Sequence, residues 1–473
     1  MADKQVSGRR GRAPLFAAGL ALALAVTLPA AWAATTPQDR PAVPAAALRW
    51  QPCPAGDTPL ECTTVTVPVD WAKPGGRTLT LKVAMLRATG ERRGVVFTNP
   101  GGPGVSGVRN LPGLARRFGA AVRAGYDIVS WDPRGIGASA PVSCPDGADA
   151  AFAALDVPDS VAERVRYERA AATWARDCRR QSGPVFDHVD TLSTARDLDR
   201  LRELWHEPKL HYAGFSYGTR IGLFYADLFP HRVGRMVLDS AVDPASDEAD
   251  FFRGQTRAAE QAFTDYHADC GNRSGCPLGD LTVAQARAWL APLLRADVQL
   301  NGLLPNILRQ PGTWGSLDEL LGELRAGVYQ PNGESGSDVA NHAVNCLDLP
   351  DHRSAARIAA DTRAAAARYP LFGRLMTGSV VCTEWPVPPT YRPHRITARG
   401  AAPILVVGTT RDTATPYDWA VSAARNLSSG RLLTVRGTGH VAYGTNPCAG
   451  EAIDRYLLTG TPPPAGKVCA APA

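Results

Sequence analysis

A serine, an aspartate and a histidine stand in this chain where they could together form a hydrolytic catalytic triad. Ser216 lies at the centre of the sequence GFSYG, Asp412 follows the apolar run ILVVGTTR, and His440 follows LLTVRGTG. A serine hydroxyl is a weak nucleophile until a base removes its proton, and that base needs a carboxylate to orient it and support its charge. We therefore predict Ser216 as the nucleophile, His440 as the base and Asp412 as its partner.

The residues around Ser216 predict the element that would present it. An apolar run through Leu210 and Tyr212 enters GFSYG, and the following RIGLFYADLF has apolar residues at helical spacing. A strand, a sharp turn through a serine and a helix form the nucleophile elbow of an α/β-hydrolase. The alternative is an ordinary glycine-rich turn, since the chain has 45 glycines. Asp418 and Asp454 are alternatives to Asp412, but neither follows a predicted strand.

Acyl transfer also requires backbone N–H groups that stabilise the negative charge developing on the carbonyl oxygen. The amide of Tyr217, directly after the nucleophile, is one predicted donor. The sequence NPGGPG at 99–104 follows another apolar strand, and there Gly102 is the predicted second donor, because a glycine allows the backbone to approach a substrate closely. An ordinary turn is again the alternative for this loop.

The remaining elements predict an α/β-hydrolase fold with a mostly parallel central sheet flanked by helices. TTVTVPVDW and TLTLKVAML predict an N-terminal hairpin, and Ser193 is the predicted N-cap of a helix before the elbow strand. Residues 245–395 contain helical runs without convincing strands, whereas strand patterns resume near APILVVG. We predict a first core segment at 49–244, a mainly helical cap at 245–395 and a second core segment at 396–473.

The N-terminus predicts export. Residues 1–33 have a basic start, an apolar stretch and an A-x-A site, the pattern of a signal peptide, and 34–48 form a Pro/Ala-rich leader. Retention as a membrane anchor is the alternative, and the pair Arg9-Arg10 leaves both the general secretory and the twin-arginine route open. We expect a secreted protein, extracellular or cell-wall associated, without stable membrane association once the signal peptide is removed.

The cysteines and the charge limit the classes of partner. In an exported chain ten cysteines without a C-x-x-C pair indicate disulfides and no metal site. The formal net charge of +6 is small for 473 residues and predicts no nucleic-acid binding. Pairing of sequence neighbours is the favoured connectivity, although other pairings stay open: Cys53 with Cys62, Cys144 with Cys178, Cys270 with Cys276, Cys346 with Cys382, and Cys448 with Cys469.

Several motifs together resemble one known family. NPGGPG, WDPRGIGAS at 131–139, GFSYGT, RDTATP and GTGH are similar to the prolyl aminopeptidase group of α/β-hydrolases, and most closely to its secreted bacterial tripeptidyl-aminopeptidase-like branch. The likeness spans roughly residues 50–460. It implies a cofactor-free serine exopeptidase, here expected as a monomer, that acts on peptides with free N-termini. One departure is Pro100, where prolyl aminopeptidases commonly have a histidine.

The resemblance also implies acidic residues in the cap that bind the ammonium group of the substrate. Asp348 in CLDLPD and Glu384 in CTEWP are the candidates, with exposed acidic loop residues as the alternative. Release of tripeptides is the main expectation. The alternatives are a prolyl or other single-residue aminopeptidase, an esterase or other acyl hydrolase, and a peptide-binding scaffold without catalytic activity.

Overall fold

The computed structural model describes residues 48–54, 59–155, 158, 160–330, 338–374 and 381–471. The predicted signal peptide at 1–33 lies outside the described residues, and so does the predicted leader except for Leu48. In the described part of the chain, no helix combines the length and the apolar character of a membrane span.

A ten-stranded sheet with the order β1-β2-β3-β5-β4-β6-β7-β8-β9-β10 forms the centre of the fold. The first three strands pair antiparallel, and every pair from β5 to β10 is parallel. This topology confirms the predicted α/β-hydrolase fold. The strands are β1 (Gln51–Pro52), β2 (Glu61–Pro68), β3 (Thr78–Leu86), β4 (Gly94–Asn99), β5 (Tyr126–Trp131), β6 (Leu210–Phe215), β7 (Val233–Asp239), β8 (Ile404–Arg411), β9 (Gly430–Thr438) and β10 (Val468–Cys469).

The burial of the strands follows their position in the sheet. Every residue of β4 and β5 is buried, as expected for central parallel strands covered by helices on both faces. Buried and exposed residues alternate in β2 and at the start of β3, which form the predicted N-terminal hairpin.

Because β6, β7, β8 and β9 are parallel, their carboxyl ends meet along one edge of the sheet. Ligands bind at this edge in open parallel sheets.

Helices flank the sheet and also fill the long connection between β7 and β8. No strand occurs among the described residues of that connection, and the predicted cap at 245–395 falls within it. The helix α4 (Val161–Ser182) packs against α12 (Ala355–Arg368) of this connection. The helices are α1 (Gly107–Ala115), α2 (Ala120–Gly125), α3 (Ala148–Ala153), α4 (Val161–Ser182), α5 (Thr191–Leu204), α6 (Tyr217–Leu228), α7 (Glu248–Cys270), α8 (Val283–Ala296), α9 (Val298–Leu308), α10 (Trp314–Ala326), α11 (Val339–Asp348), α12 (Ala355–Arg368), α13 (Tyr417–Asn426) and α14 (Pro447–Thr459).

The start of α5 differs from the prediction. Asp190, not Ser193, is the N-cap, and its side chain accepts a hydrogen bond from the Ser193 amide at 2.8 Å. The helix therefore begins two residues before Ser193. Asp and Ser have similar preferences for the N-cap position, so these preferences alone do not predict which residue of DTLS is the N-cap.

The motif WDPRG has a structural role at the end of β5. Asp132 accepts hydrogen bonds from the Ser106 hydroxyl and from the Ala138 amide, which fixes the loop that follows NPGGPG. Arg134 forms a bidentate ion pair with Asp197 of α5 at 2.7 Å, and both side chains are fully buried. A buried pair of this kind is strongly destabilised when one partner is removed, because the other charge then lacks compensation.

Five disulfides join cysteines that are neighbours in sequence. The pairing is the one favoured from sequence proximity, and it leaves none of the ten cysteines free. Cys346 at the end of α11 is bonded to Cys382, so this bridge crosses the predicted cap. Such cross-links stabilise a fold mainly by restricting its unfolded state.

Candidate active site

The elbow at Ser216 has the strained geometry that its glycines permit. Ser216 lies between β6 and α6 with φ 55° and ψ −124°. A Cβ on Gly214 would lie 2.4 Å from the Gly218 carbonyl oxygen, and one on Gly218 would lie 2.7 Å from the Asn99 carbonyl oxygen. Larger residues are therefore excluded from both positions, which explains the motif GxSxG in terms of packing.

Asp412 and His440 are hydrogen bonded to each other on the loops after β8 and β9. The Nδ1 atom of His440 lies 2.9 and 3.0 Å from the two carboxylate oxygens. Asp412 also accepts hydrogen bonds from the Ala414 amide and from the amide and hydroxyl of Thr415. Burial alone would raise the pKa of Asp412, but the charge and hydrogen bond of His440 and these donors lower it overall. The carboxylate is therefore held ionised beneath the imidazole.

Asp239, at the end of β7, links the elbow to the histidine loop. Its carbonyl oxygen accepts the hydrogen bond of the Ser216 amide at 3.0 Å. Its buried carboxylate accepts hydrogen bonds from the amides of Ala442 and Tyr443. Within the described chain, the ring of His440 is hydrogen bonded to Asp412 and has no hydrogen bond with Ser216. Asp239 at the end of β7 therefore connects the elbow to the histidine loop, although Ser216 and His440 are not hydrogen bonded to each other.

The glycine loop after β4 lies directly against the elbow. A Cβ on Gly101 would lie 2.6 Å from the Phe215 carbonyl oxygen and 3.0 Å from the Cβ of Ser216. The Gly101 amide donates to the Asn99 side chain at 2.9 Å, whereas the Gly102 amide has no hydrogen-bond acceptor among the described residues. The Tyr217 amide is at the first position of α6, where an amide has no acceptor within the helix. The role of these two amides as oxyanion donors stays a prediction.

Two residues directly after α9, Gln310 and Arg309, lie at the site and were not predicted from the sequence. Gln310 donates from its side chain to the carbonyl oxygen of His440 at 2.9 Å. Burial lowers the pKa of Arg309, and the nearby charge of Asp412 opposes that effect. Neither residue belongs to a recognisable motif. Only the folding of the helical connection back over the strand ends brings them to the site.

Asp348 does not occupy the position predicted for it. Its side chain is completely buried, and it accepts hydrogen bonds from both the amide and the hydroxyl of Thr191, with Arg220 3.8 Å away. Burial raises its pKa to about 6, against the opposing effects of Arg220 and Thr191. Its oxygens already serve internal donors, so an ammonium group of a substrate has no access to them. The expectation that Asp348 binds the substrate is therefore corrected.

Glu384 is exposed, and its neighbours differ from those of Asp348. It lines a surface pocket whose other lining residues all belong to α4, including Glu168. Burial raises the pKa of Glu168, and the charge of Glu384 adds to that effect. The two acidic residues predicted to act together therefore have separate surroundings, and only Glu384 is accessible to a ligand.

Comparison with known proteins agrees with this architecture. Residues 369–469 match the family described as TAP-like protein. The chain is 34% identical to serine protease Hip1 of Mycobacterium tuberculosis, over 89% of this chain and 91% of that protein. It is 32% identical to a tripeptidyl aminopeptidase of Streptomyces lividans, over 90% of this chain and 87% of that protein. The chain belongs to the tripeptidyl-aminopeptidase-like family of α/β-hydrolases.

The members of this tripeptidyl-aminopeptidase-like family differ in their names. Another relative, 34% identical over 86% of both chains, is named carboxylesterase B of Mycobacterium tuberculosis. A second tripeptidyl aminopeptidase, of Streptomyces coelicolor, is 33% identical over 88% of this chain and 84% of that protein. The serine protease and the two aminopeptidases identify the chain as a serine peptidase. This agrees with the activity implied by the sequence motifs.

Proposed function

We propose that this chain is a secreted serine exopeptidase that cleaves peptide bonds near free N-termini and releases tripeptides. The observation that carries the proposal is the His440–Asp412 pair, at the same edge of the sheet as Ser216. The relatives named tripeptidyl aminopeptidase support the size of the released product. Five disulfides support an oxidising compartment outside the cytoplasm.

The first chemical step forms an acyl-enzyme. The Oγ atom of Ser216 attacks the scissile carbonyl carbon while Nε2 of His440 accepts the hydroxyl proton. The carbonyl π electrons move to the oxygen, and the amides of Tyr217 and Gly102 stabilise the resulting oxyanion. When the tetrahedral intermediate collapses, the C–N bond breaks and His440 gives its proton to the leaving amine.

The second step releases the N-terminal product. A water molecule loses a proton to His440 and attacks the acyl carbon, and the Ser216 oxygen then leaves with that proton. Asp412 supports both steps because its bond to Nδ1 keeps Nε2 free to accept a proton and stabilises the imidazolium once it forms.

We extend the proposal to the helical segment at 245–395, which would cap the site. The hydrogen bond from Gln310 to the His440 carbonyl oxygen supports this role, because it joins the segment to the catalytic loop. A cap that closes over the strand ends would exclude long chains and favour a substrate terminus. Glu384 is retained as the acidic residue proposed to contact the substrate ammonium.

Ester hydrolysis is the second candidate function. The relative named carboxylesterase B favours it, and the proposed triad chemistry would cleave an ester as well as an amide. The two candidates differ in their requirement for an ammonium group on the substrate.

The deciding experiment compares peptides with a free N-terminus and the same peptides after N-acetylation. Mass spectrometry of the products should reveal tripeptides from the free peptides and no cleavage of the acetylated ones. Equal cleavage of both sets would contradict an exopeptidase. Turnover of aryl esters without cleavage of any peptide would establish the esterase instead.

A further inference from the structure

A cavity lined by arginines lies among α4, α8 and α12, and nothing in the proposed catalytic mechanism uses it. Its volume is about 400 Å³. Apart from the arginines, the described lining residues are uncharged. None belongs to the candidate active site around Ser216. The five arginines are Arg164, Arg287, Arg295, Arg363 and Arg374.

Arg164 is the buried member of this set. Only 2% of the residue is exposed, and one guanidinium nitrogen donates to the Thr362 hydroxyl at 3.2 Å. Its Nε atom is buried without a hydrogen-bond partner in the described chain. Burial lowers the pKa of Arg164, while the charge of Glu168 one helical turn away opposes that effect. A buried cation with an unused donor is costly unless a ligand or partner compensates it.

One of the five arginines, Arg287, has an acidic partner. Glu260 is paired with Arg287 at 2.8 Å and also accepts the amides of Leu371 and Phe372. Arg295 and Arg363 are exposed at the cavity and form no ion pair with described residues. Among the described residues, Arg164, Arg295 and Arg363 therefore line the cavity without an ion pair, and Arg164 is a buried guanidinium with an unused donor.

We propose that this arginine cavity binds a compact oxyanion that carries at least two negative charges, with phosphate as its chemical class. Guanidinium groups form planar, bidentate hydrogen bonds with phosphate oxygens, and such charge-assisted bonds are stronger than neutral ones. The other described lining residues are mostly alanine and proline, with Thr362 and Leu371, and the cavity volume of about 400 Å³ is sufficient for a ligand of this size. The phosphate could be inorganic or part of a small phosphoester.

The proposal is tested by isothermal titration of the full mature protein with inorganic pyrophosphate, and separately with glycerol phosphate, at constant ionic strength. We expect saturable binding with a Kd of about 1 mM or lower, since several charge-assisted bonds form at once. Binding of pyrophosphate alone would assign a free anion, and binding of both would assign phosphoesters as well. Absence of saturable binding by either anion would overturn the proposal.

Variants locate the binding within the cavity. Arg164→Gln should weaken pyrophosphate binding about tenfold or more, because it removes the buried donor. That variant could also unfold, so Arg295→Gln and Arg363→Gln, both at exposed positions, provide the decisive comparison, and each should weaken binding severalfold. Arg77→Gln, at an exposed turn far along the chain from these helices, is the matched control and should bind as the wild type does. Unchanged affinity in the double variant Arg295→Gln/Arg363→Gln would overturn the proposed site.

Discussion

Tyr217 and Asp348 are connected through a single hydroxyl group, that of Thr191. The Thr191 hydroxyl donates to Asp348, and the Tyr217 hydroxyl lies 2.6 Å from the same oxygen. A hydroxyl has one proton to donate, so Tyr217 is the donor to Thr191 when Asp348 is ionised and accepts the Thr191 proton. The residue proposed to provide an oxyanion amide is thereby joined through α5 to the last residue of α11. Asp348 acts as a link between the elbow and the helical connection and not as a substrate ligand.

The burial of Asp348 predicts a specific dependence of stability on pH. Because the folded state raises its pKa from 3.8 to about 6, the folded protein keeps a proton that the unfolded chain has already lost between these values. The free energy of unfolding should therefore fall as the pH rises through this window. Relative to Asp348→Asn, the wild type should lose roughly 2 to 3 kcal/mol between pH 4 and pH 7.

Urea denaturation of both proteins at several pH values measures this difference. Gly75→Ala is the control, because it changes no titratable group and an added Cβ would have no neighbour within 4 Å, so its difference from wild type should stay constant across the same range. Parallel stability curves for wild type and Asp348→Asn would show that Asp348 does not titrate as expected.

Replacing Ser216 tests the proposed nucleophile. Ser216→Ala should lower kcat by roughly 10⁴-fold or more, since the acyl-enzyme cannot form, while the melting temperature stays close to that of the wild type. Ser429→Ala, whose hydroxyl only donates to the carbonyl oxygen of Ala402, is the control and should retain activity. Near-normal turnover of a peptide by Ser216→Ala would assign the nucleophile elsewhere.

Asp412 and Asp418 are close in sequence, but only Asp412 is proposed to take part in catalysis. Asp412→Asn should lower kcat by about 10³- to 10⁴-fold, because an amide cannot support an imidazolium and favours the wrong tautomer of His440. Asp418, six residues later, is exposed and paired with Arg257, so Asp418→Asn should leave kcat unchanged. Steady-state kinetics on one peptide substrate checks both, and equal losses in the two variants would contradict the assignment.

The prediction of the three triad residues depends only on local sequence, because each of them follows a strand. Ser216, Asp412 and His440 each follow an apolar run, and parallel strands bring their carboxyl ends to one edge whatever the intervening chain does. The order of cysteine pairing was predictable for a related reason, since short separations favour closure.

The contributions of the helical connection were not predictable in this way. Gln310 and Arg309 reach His440 and Asp412 across more than one hundred residues, through packing that no local pattern encodes. The same limitation applies to Asp348. The family resemblance suggested a substrate ligand, with an exposed loop residue as the alternative, whereas Asp348 ends a helix whose last turn is buried against Thr191.

Two disulfides of different span predict unequal stabilities. Removing the bridge between Cys346 and Cys382, separated by 36 residues, should cost more than removing the one between Cys270 and Cys276, separated by 6. The loop-entropy relation predicts a difference of roughly 1.5 kcal/mol in the free energy of unfolding. Urea denaturation of the two double Cys→Ser variants measures it. The reverse order would show that local packing outweighs loop length.

The last prediction concerns the contact between the glycine loop and the elbow. Gly101 has φ +102°, which is unfavourable for other residues, and an added Cβ would press against the Phe215 carbonyl oxygen and the Ser216 side chain. Gly101→Ala should therefore move either the loop or the nucleophile and lower kcat/KM about 10²-fold, as expected when reacting groups shift by about 1 Å.

Gly75 provides the matched control for this substitution. It lies in the turn of the N-terminal hairpin, where an added Cβ would have no neighbour within 4 Å, so Gly75→Ala should keep full activity. Peptide hydrolysis and thermal melting are measured on both variants, because a folded Gly101→Ala protein with low kcat/KM is the expected result. A folded Gly101→Ala protein with wild-type kcat/KM would mean that the loop does not set the position of Ser216 during catalysis, and Gly102 would then lose its support as an oxyanion donor.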